Sequence, residues 1–161
     1  MIPVELIHPM IIHFPIVFII CLAAFDVIAT ARGHSVTGRN TAGDISTALM
    51  VLAALSAVAA MMFGDLALSY AESKGFSSNV AEIHEGLGGA VASTFAIWAA
   101  VRTFLWWRDT RVSGATAYAV AFVAVVGAGL AITTAYFGGK LVYDLGVNVA
   151  SAAPVAEPAS E

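Results

Sequence analysis

Residues 45–64 read ISTALMVLAALSAVAAMMFG, a run without Asp, Glu, Lys or Arg. The hydrocarbon core of a bilayer is roughly 30 Å thick, and a helix that rises about 1.5 Å per residue crosses it with about 20 apolar residues. This run therefore predicts a transmembrane helix.

Three further stretches have the same character. Residues 6–25 and 112–139 contain no Asp, Glu, Lys or Arg, and residues 86–107 contain only Arg102. The chain is 60% hydrophobic and 11% charged, whereas soluble domains carry roughly 25% charged residues, so a water-soluble globule is excluded. We predict an all-α polytopic membrane protein, a bundle of four transmembrane helices near residues 9–31, 44–69, 81–107 and 113–138, with Pro15 bending the first.

The whole chain is assigned to this one domain except for its end. Residues 1–150 are predicted to form the four-helix transmembrane domain, and residues 151–161, with Ala, Pro and Glu, are predicted to be a disordered tail. The first helix is interpreted as retained rather than as a cleaved signal, because its leader contains Glu5 and no Lys or Arg.

The basic residues of the loops predict an orientation. Arg32 and Arg39 lie between the first and second predicted helices, and Arg102, Arg108 and Arg111 are counted with the connection between the third and fourth, against only Lys74 and Lys140 on the other side. Cytoplasmic loops carry an excess of Lys and Arg. The two Arg-containing loops are therefore predicted to be cytoplasmic, and both termini periplasmic.

Titratable side chains gather at the predicted outer end of the bundle. Imidazole ligates haem iron and transition-metal ions, and a carboxylate can complete a metal site or orient a histidine. A flat ligand beside a histidine also needs open space, and a glycine one turn away leaves such space because it has no side chain. The alternative is that the histidines are interfacial hydrogen-bonding groups that tether helix ends. The candidate haem residues are His8, His13, His84 and Gly88, and the candidate metal ligands are His13, His84, Asp65 and Glu85.

The two halves of the chain share short matches. Residues 4–8, VELIH, are similar to residues 80–84, VAEIH, and residues 63–66, FGDL, are similar to residues 137–140, FGGK. The offsets are 76 and 74 residues. Such matches indicate two tandem helical hairpins related by an axis along the membrane normal, although they also arise by chance in an Ala-rich and Gly-rich chain. A true repeat would pair His8 with His84 across the bundle axis.

Two motifs resemble a known family. The segment HPMIIHFP at residues 8–15, His84 with Gly88, and the closing segment GGKLVYDLGV at residues 138–147 are together similar to the bacterial membrane family named domain of unknown function 2231. The resemblance covers roughly residues 5–149. It implies a four-helix integral domain of the bacterial inner membrane, joined in some members to cytochrome-like or iron–sulfur modules, and therefore a redox setting by association.

These observations lead to one functional expectation and one alternative. We expect a small membrane subunit that holds haem b, or else a transition-metal ion, at its periplasmic face and exchanges electrons with a quinone or a cytochrome-type partner, rather than a stand-alone enzyme. The alternative is a cofactor-free scaffold or accessory subunit, in which residues 138–143 fold back as a lid. The expected partners are lipid, other subunits or a second copy, and no nucleic acid. No hydrolase or phosphate-binding motif is present.

Overall fold

The computed structural model describes residues 3–149, so the tail predicted at residues 151–161 lies outside the described residues. Every regular element within residues 3–149 is an α-helix. Four of these helical stretches are long and apolar enough to cross a membrane: Glu5–Ala31, Thr41–Ser73, Asn79–Trp107 and Gly114–Tyr143. The predicted all-α bundle with four spans is thereby confirmed. The helices are α1 (Val4–Ile11), α2 (His13–Ala31), α3 (Thr41–Ser73), α4 (Asn79–Trp107) and α5 (Gly114–Tyr143).

The first span is interrupted at Ile12, between α1 and α2. Pro15 has no N–H group for the carbonyl of Ile11, four residues earlier, so one bond of the helical ladder is missing there. The sequence predicts a bend at Pro15, and the structure places the interruption one turn before it for this reason.

Other helices extend beyond their predicted ends. The second span begins at Thr41 behind an N-cap at Asn40, whose side chain accepts a hydrogen bond from the Gly43 N–H. The fourth span continues to Tyr143. Residues 138–143 are therefore the last turns of α5 and not a folded-back lid, since no residue in them breaks the helical ladder.

The helices form a four-membered ring. α2 packs against α3 and α5, α4 packs against the same two helices, and α1 packs against α3. Within the described residues, α2 and α4 make no direct backbone contact and lie on a diagonal. Any interaction between the first and third spans therefore passes through side chains across the bundle axis.

Small residues allow this ring to close tightly. The buried core contains Met50, Phe95 and many alanines, including Ala53, Ala57 and Ala124. In lipid, close backbone approach and van der Waals packing replace the hydrophobic effect in driving helix association. Gly127 shows how tight the packing is, because a Cβ there would lie 2.8 Å from the Phe95 ring.

One end of the ring, here called the loop end, holds a buried ion pair. The Arg102 side chain donates to the Asp26 carboxylate at 3.0 Å, and both side chains are 0% exposed. Arg102 also donates to the Val36 carbonyl at 2.6 Å and to the Ser46 hydroxyl, which in turn donates to Asp26. Arg102 is therefore the partner of Asp26.

The two loops at this end interlock. The Arg39 N–H donates to the Asp109 carboxylate at 2.6 Å, Arg111 donates to the Arg39 carbonyl at 3.1 Å, and the Val112 N–H donates to the Thr37 hydroxyl at 3.0 Å. Asp109 has a positive φ of 48°. The first and third connections are therefore held together as one surface.

Candidate two-histidine site

The opposite end of the bundle, here called the terminal end, contains His8 on α1. The His8 Nδ1 lies 2.8 Å from the carbonyl oxygen of Ala60 on α3. A carbonyl only accepts hydrogen bonds, so Nδ1 must carry the proton in this contact and Nε2 keeps its lone pair. The side chain is half-buried.

His84 on α4 makes the equivalent contact with α5. Its Nδ1 lies 3.0 Å from the carbonyl oxygen of Thr134, which assigns the same tautomer. Its side chain is also half-buried. Each histidine thus reaches from an odd-numbered span to the following span, and each leaves Nε2 available.

A glycine makes each of these contacts possible. In a helix, a side chain covers the turn that precedes it, so a residue at i+4 covers the carbonyl at i. Gly64 follows Ala60 by four residues and Gly138 follows Thr134 by four. A Cβ at Gly64 would lie 3.1 Å from the His8 ring, and a Cβ at Gly138 would lie 2.9 Å from the His84 ring. The glycines therefore uncover the two carbonyls.

The two histidines face each other across the bundle axis. Their ring centroids are 6.1 Å apart, and the ring planes are inclined at 82°. The contacts repeat with the offsets seen in the sequence: 76 residues between the histidines, and 74 between their carbonyl partners and between their glycines. This geometry supports two tandem hairpins and the predicted pairing of His8 with His84.

The two residues of the ion pair at the loop end have the same separation in sequence as the two histidines. Arg102 follows Asp26 by 76 residues, as His84 follows His8. Both diagonal pairs are thus formed by corresponding positions of the first and third spans. The histidine pair is chemically symmetric, whereas the charged pair distinguishes the two halves.

The other candidate residues are not drawn into this pair. His13, Asp65 and Glu85 are exposed. Five residues advance a helix by about 500°, so His13 emerges about 140° away from His8. Among residues 3–149, no three His, Cys, Asp or Glu side chains come together as a possible metal-ion site, so His13, His84, Asp65 and Glu85 do not form one group.

Gly88 lies one turn after His84, as the sequence suggests. A Cβ at Gly88 would meet nothing within 4 Å, and the same holds for its neighbours Gly86 and Gly89. Close packing within the described chain therefore does not explain these three glycines, in contrast to Gly127. Gly88 emerges within about 40° of His84 and leaves the surface beside it uncovered, whereas Gly86 and Gly89 emerge about 160° and 140° away.

Sequence reasoning missed the carbonyls of Ala60 and Thr134, since any residue supplies a carbonyl. The signal that could have found them was the repeated Phe-Gly pair at residues 63–64 and 137–138. A glycine recurring one turn after a helical position indicates an uncovered carbonyl there.

Comparisons with known proteins agree with this architecture. A family model described as a predicted membrane protein, DUF2231, matches residues 5–151 and so includes both histidines and both hairpins. Comparison with curated proteins and with solved structures gives no match. Four candidate membrane spans and a match over nearly the whole chain lead to one conclusion: the chain belongs to the DUF2231 family of membrane proteins.

Proposed function

We propose that His8 and His84 are the two axial ligands of a b-type haem, and that the protein carries electrons within the membrane. The observation that carries this proposal is the pair itself. Both Nδ1 atoms are bound to carbonyls, which orients each imidazole and leaves Nε2 as the ligating atom, the usual arrangement around metal-bound histidines.

The spacing of the rings suits a shared ion. The His8 and His84 ring centroids are 6.1 Å apart, so both residues would be close enough to hold one group, whereas His13 is exposed and emerges about 140° away from His8. His8 is therefore favoured over His13 as the partner of His84.

The number of ligands favours haem over a bare ion. Protein zinc sites take three or four protein ligands, and among the described residues the site offers two histidines without a third His, Cys, Asp or Glu in the group. A haem iron needs only axial ligands from the protein, because the macrocycle supplies the rest. The uncovered surface at Gly88, one turn after His84, gives room beside His84 for a flat group.

The setting suits electron transfer at one membrane face. The loop end carries Arg32, Arg39, Arg108 and Arg111, which favours a cytoplasmic position for it and a periplasmic one for the histidine pair in a bacterial inner membrane. A quinone in the bilayer or a cytochrome-type carrier outside it would be the electron partner. Such a protein acts as a subunit and not as a stand-alone enzyme.

The test is a reduced-minus-oxidised absorption spectrum of the full chain, expressed with haem supply and purified in mild detergent. We expect a Soret band that His8→Ala and His84→Ala each abolish. His13→Ala and His34→Ala are the matched controls and should retain it. A haem-free wild-type protein, or a normal spectrum in His84→Ala, would exclude this site, and metal analysis would then test for an ion.

One observation favours a cofactor-free scaffold as the second candidate. The histidines already connect α1 to α3 and α4 to α5 through hydrogen bonds to carbonyls. In that case His8→Ala and His84→Ala would lower stability or assembly, and no haem or metal would co-purify with the wild-type chain.

A further inference from the structure

Residues 144–149, here called the clasp, follow α5 and turn back onto the terminal end of the bundle. The Val147 N–H donates to the Leu141 carbonyl of α5 at 2.9 Å. The Asn148 side-chain amide donates to the Ala67 carbonyl of α3 at 3.2 Å. The clasp therefore connects the last turns of α5 to the last turns of α3.

α3 and α5 occupy opposite corners of the ring. Within residues 3–149 they make no direct backbone contact, whereas each packs against both α2 and α4. Neighbouring helix axes lie about 8–10 Å apart, so the axes of opposite corners are about 11–14 Å apart. Val147 and Asn148 hold the two corners and are consecutive, with Cα atoms about 3.8 Å apart. The clasp is too short to pass around α2 or α4, and it therefore crosses the end of the bundle over its axis.

The two carbonyls that the clasp holds correspond in the two hairpins. Leu141 follows Ala67 by 74 residues, as Thr134 follows Ala60. Each carbonyl also lies seven residues beyond the one that a histidine contacts, which is about two turns or about 10 Å along the helix. Because the two histidine rings face each other across the same axis, the clasp lies above them on the outer side.

The hold of the clasp on α3 is weak. Among the described residues, the Asn148 amide makes the one hydrogen bond between the clasp and α3. Leu145 and Val149 are exposed, so little apolar burial adds to it. Gly146 and Asn148 have positive φ values of 63° and 56°, a conformation that these two residue types adopt most readily. A hydrogen bond of this kind changes an equilibrium constant by about 2- to 10-fold. The clasp can therefore open while the helices stay folded.

We propose that the clasp is a lid that closes the aqueous entrance to the His8–His84 pair, and that it opens when the Asn148 amide leaves the Ala67 carbonyl. The inference rests on the proposed site at this pair but not on haem as its occupant. The closed lid keeps water and soluble molecules away from the two rings at the terminal end. The open lid lets a small water-soluble reactant reach the bundle axis.

The experiment measures the reactivity of a cysteine placed under the clasp. His8→Cys and His84→Cys are made separately in the full-length Cys21→Ser chain, reconstituted in lipid nanodiscs and treated with a charged methanethiosulfonate reagent, which approaches through water. Asn148→Asp replaces the donor with an acceptor that repels the Ala67 carbonyl. Both cysteines should then react at least about twofold faster. Either reporter suffices if the other variant fails to fold, because the two rings lie under the same clasp.

Two further variants separate opening of the lid from the added charge. Asn148→Gly tolerates the positive φ and removes the amide without a change in charge, so the rate should rise about 2- to 10-fold. Asn79→Asp is the matched control, because Asn79 is an exposed asparagine of the same end. It should leave the rate unchanged. Anionic and cationic reagents should both react faster when the lid opens, whereas a charge effect alone would favour the cationic one.

The exposed position Ser77→Cys gives the rate of an uncovered site. Equal rates with and without Asn148→Asp and Asn148→Gly would overturn the proposal, and so would a parent reporter that already reacts as fast as Ser77→Cys. The result does not depend on haem, since each reporter chain lacks one of the two histidines. A haem-free wild-type protein would therefore exclude the proposed cofactor and leave the lid standing.

Discussion

At the scale of single residues, Gly64 and Gly138 decide where the two imidazoles can lie. Each histidine reaches a main-chain carbonyl that a side chain one turn later would cover. Glycine in a helix interior is unfavourable by roughly 0.5–1 kcal/mol relative to alanine. Glycine at these two positions therefore lowers the stability of the helix but lets each histidine reach its carbonyl.

Gly138→Ala should lower the free energy of unfolding by about 1–3 kcal/mol, because the new Cβ would lie 2.9 Å from the His84 ring. Gly129→Ala on the same helix is the control, since a Cβ there meets nothing within 4 Å. It should be neutral or stabilising. Unfolding in mixed detergent measures both.

The clash can be isolated with a double-mutant cycle. In a His84→Ala background the cost of Gly138→Ala should disappear, since the ring that the methyl group meets is gone. An equal cost with and without His84 would show that Gly138 serves another purpose.

A second residue-scale prediction concerns Asp109 in the third connection. Hydrogen bonds from the Arg39 N–H and the Arg111 side chain hold the pKa of the Asp109 carboxyl below its usual value. Because the folded pKa is lowered, the contact is fully present above the usual Asp value of about 3.9 and is lost as the pH falls through the lowered pKa. An NMR titration of the Asp109 carboxyl carbon should give a midpoint below that value. A midpoint at or above it would show that the loops do not interlock in solution.

At the scale of elements, the four spans are connected in two ways. Neighbouring helices pack through small residues, and the diagonal pair of spans meets through His8–His84 at one end and Asp26–Arg102 at the other. A charge left alone in a membrane interior is expensive. The charged pair therefore specifies which helices are diagonal.

Arg102→Met should destabilise the bundle by about 3–5 kcal/mol, because it leaves the Asp26 carboxylate buried without its partner. The control is Asp109→Asn, which removes an exposed ion pair with Arg111 and keeps a residue type that tolerates positive φ. That change should cost about 1 kcal/mol or less. Similar unfolding curves for the two variants would argue against a structural role of the buried pair.

At the scale of the whole molecule, the chain is two hairpins around one axis. The pairs that meet across this axis at the two ends of the bundle are both 76 residues apart, and the carbonyls that the two histidines contact are 74 residues apart. The ends nevertheless differ in chemistry. One has two imidazole rings, and the other has a buried ion pair and interlocked Arg-rich loops.

The proposed orientation predicts opposite accessibility of the two ends. In a Cys21→Ser background, a membrane-impermeant maleimide should label Ser77→Cys in intact spheroplasts and label Thr110→Cys only after permeabilisation. Both positions are exposed in the structure, so burial does not bias the comparison. The reverse pattern would place the histidine pair on the cytoplasmic side.

Much of the fold was predictable because hydropathy and length are local properties. Residues 45–64 alone predict a span, and the remaining spans follow in the same way. Helix ends were less predictable. The fourth span continues to Tyr143 because no residue there ends the helix, whereas the prediction followed the apolar residues. His8, His13 and His84 are proposed as ligands because they gather at one end of the predicted bundle, and the repeat suggests the pairing of His8 with His84. The carbonyls that orient the two rings are not predicted.

Hydropathy and length are enough to predict four membrane spans, and the short matches suggest a histidine at corresponding positions of two halves. The packing of the helices was needed to show that His8 rather than His13 faces His84, that Arg102 is the partner of Asp26, and that the surface beside Gly88 is open. The angle at which a side chain leaves its own helix follows from its position in the sequence. Which of these angles points at the bundle axis depends on how that helix packs against the other helices.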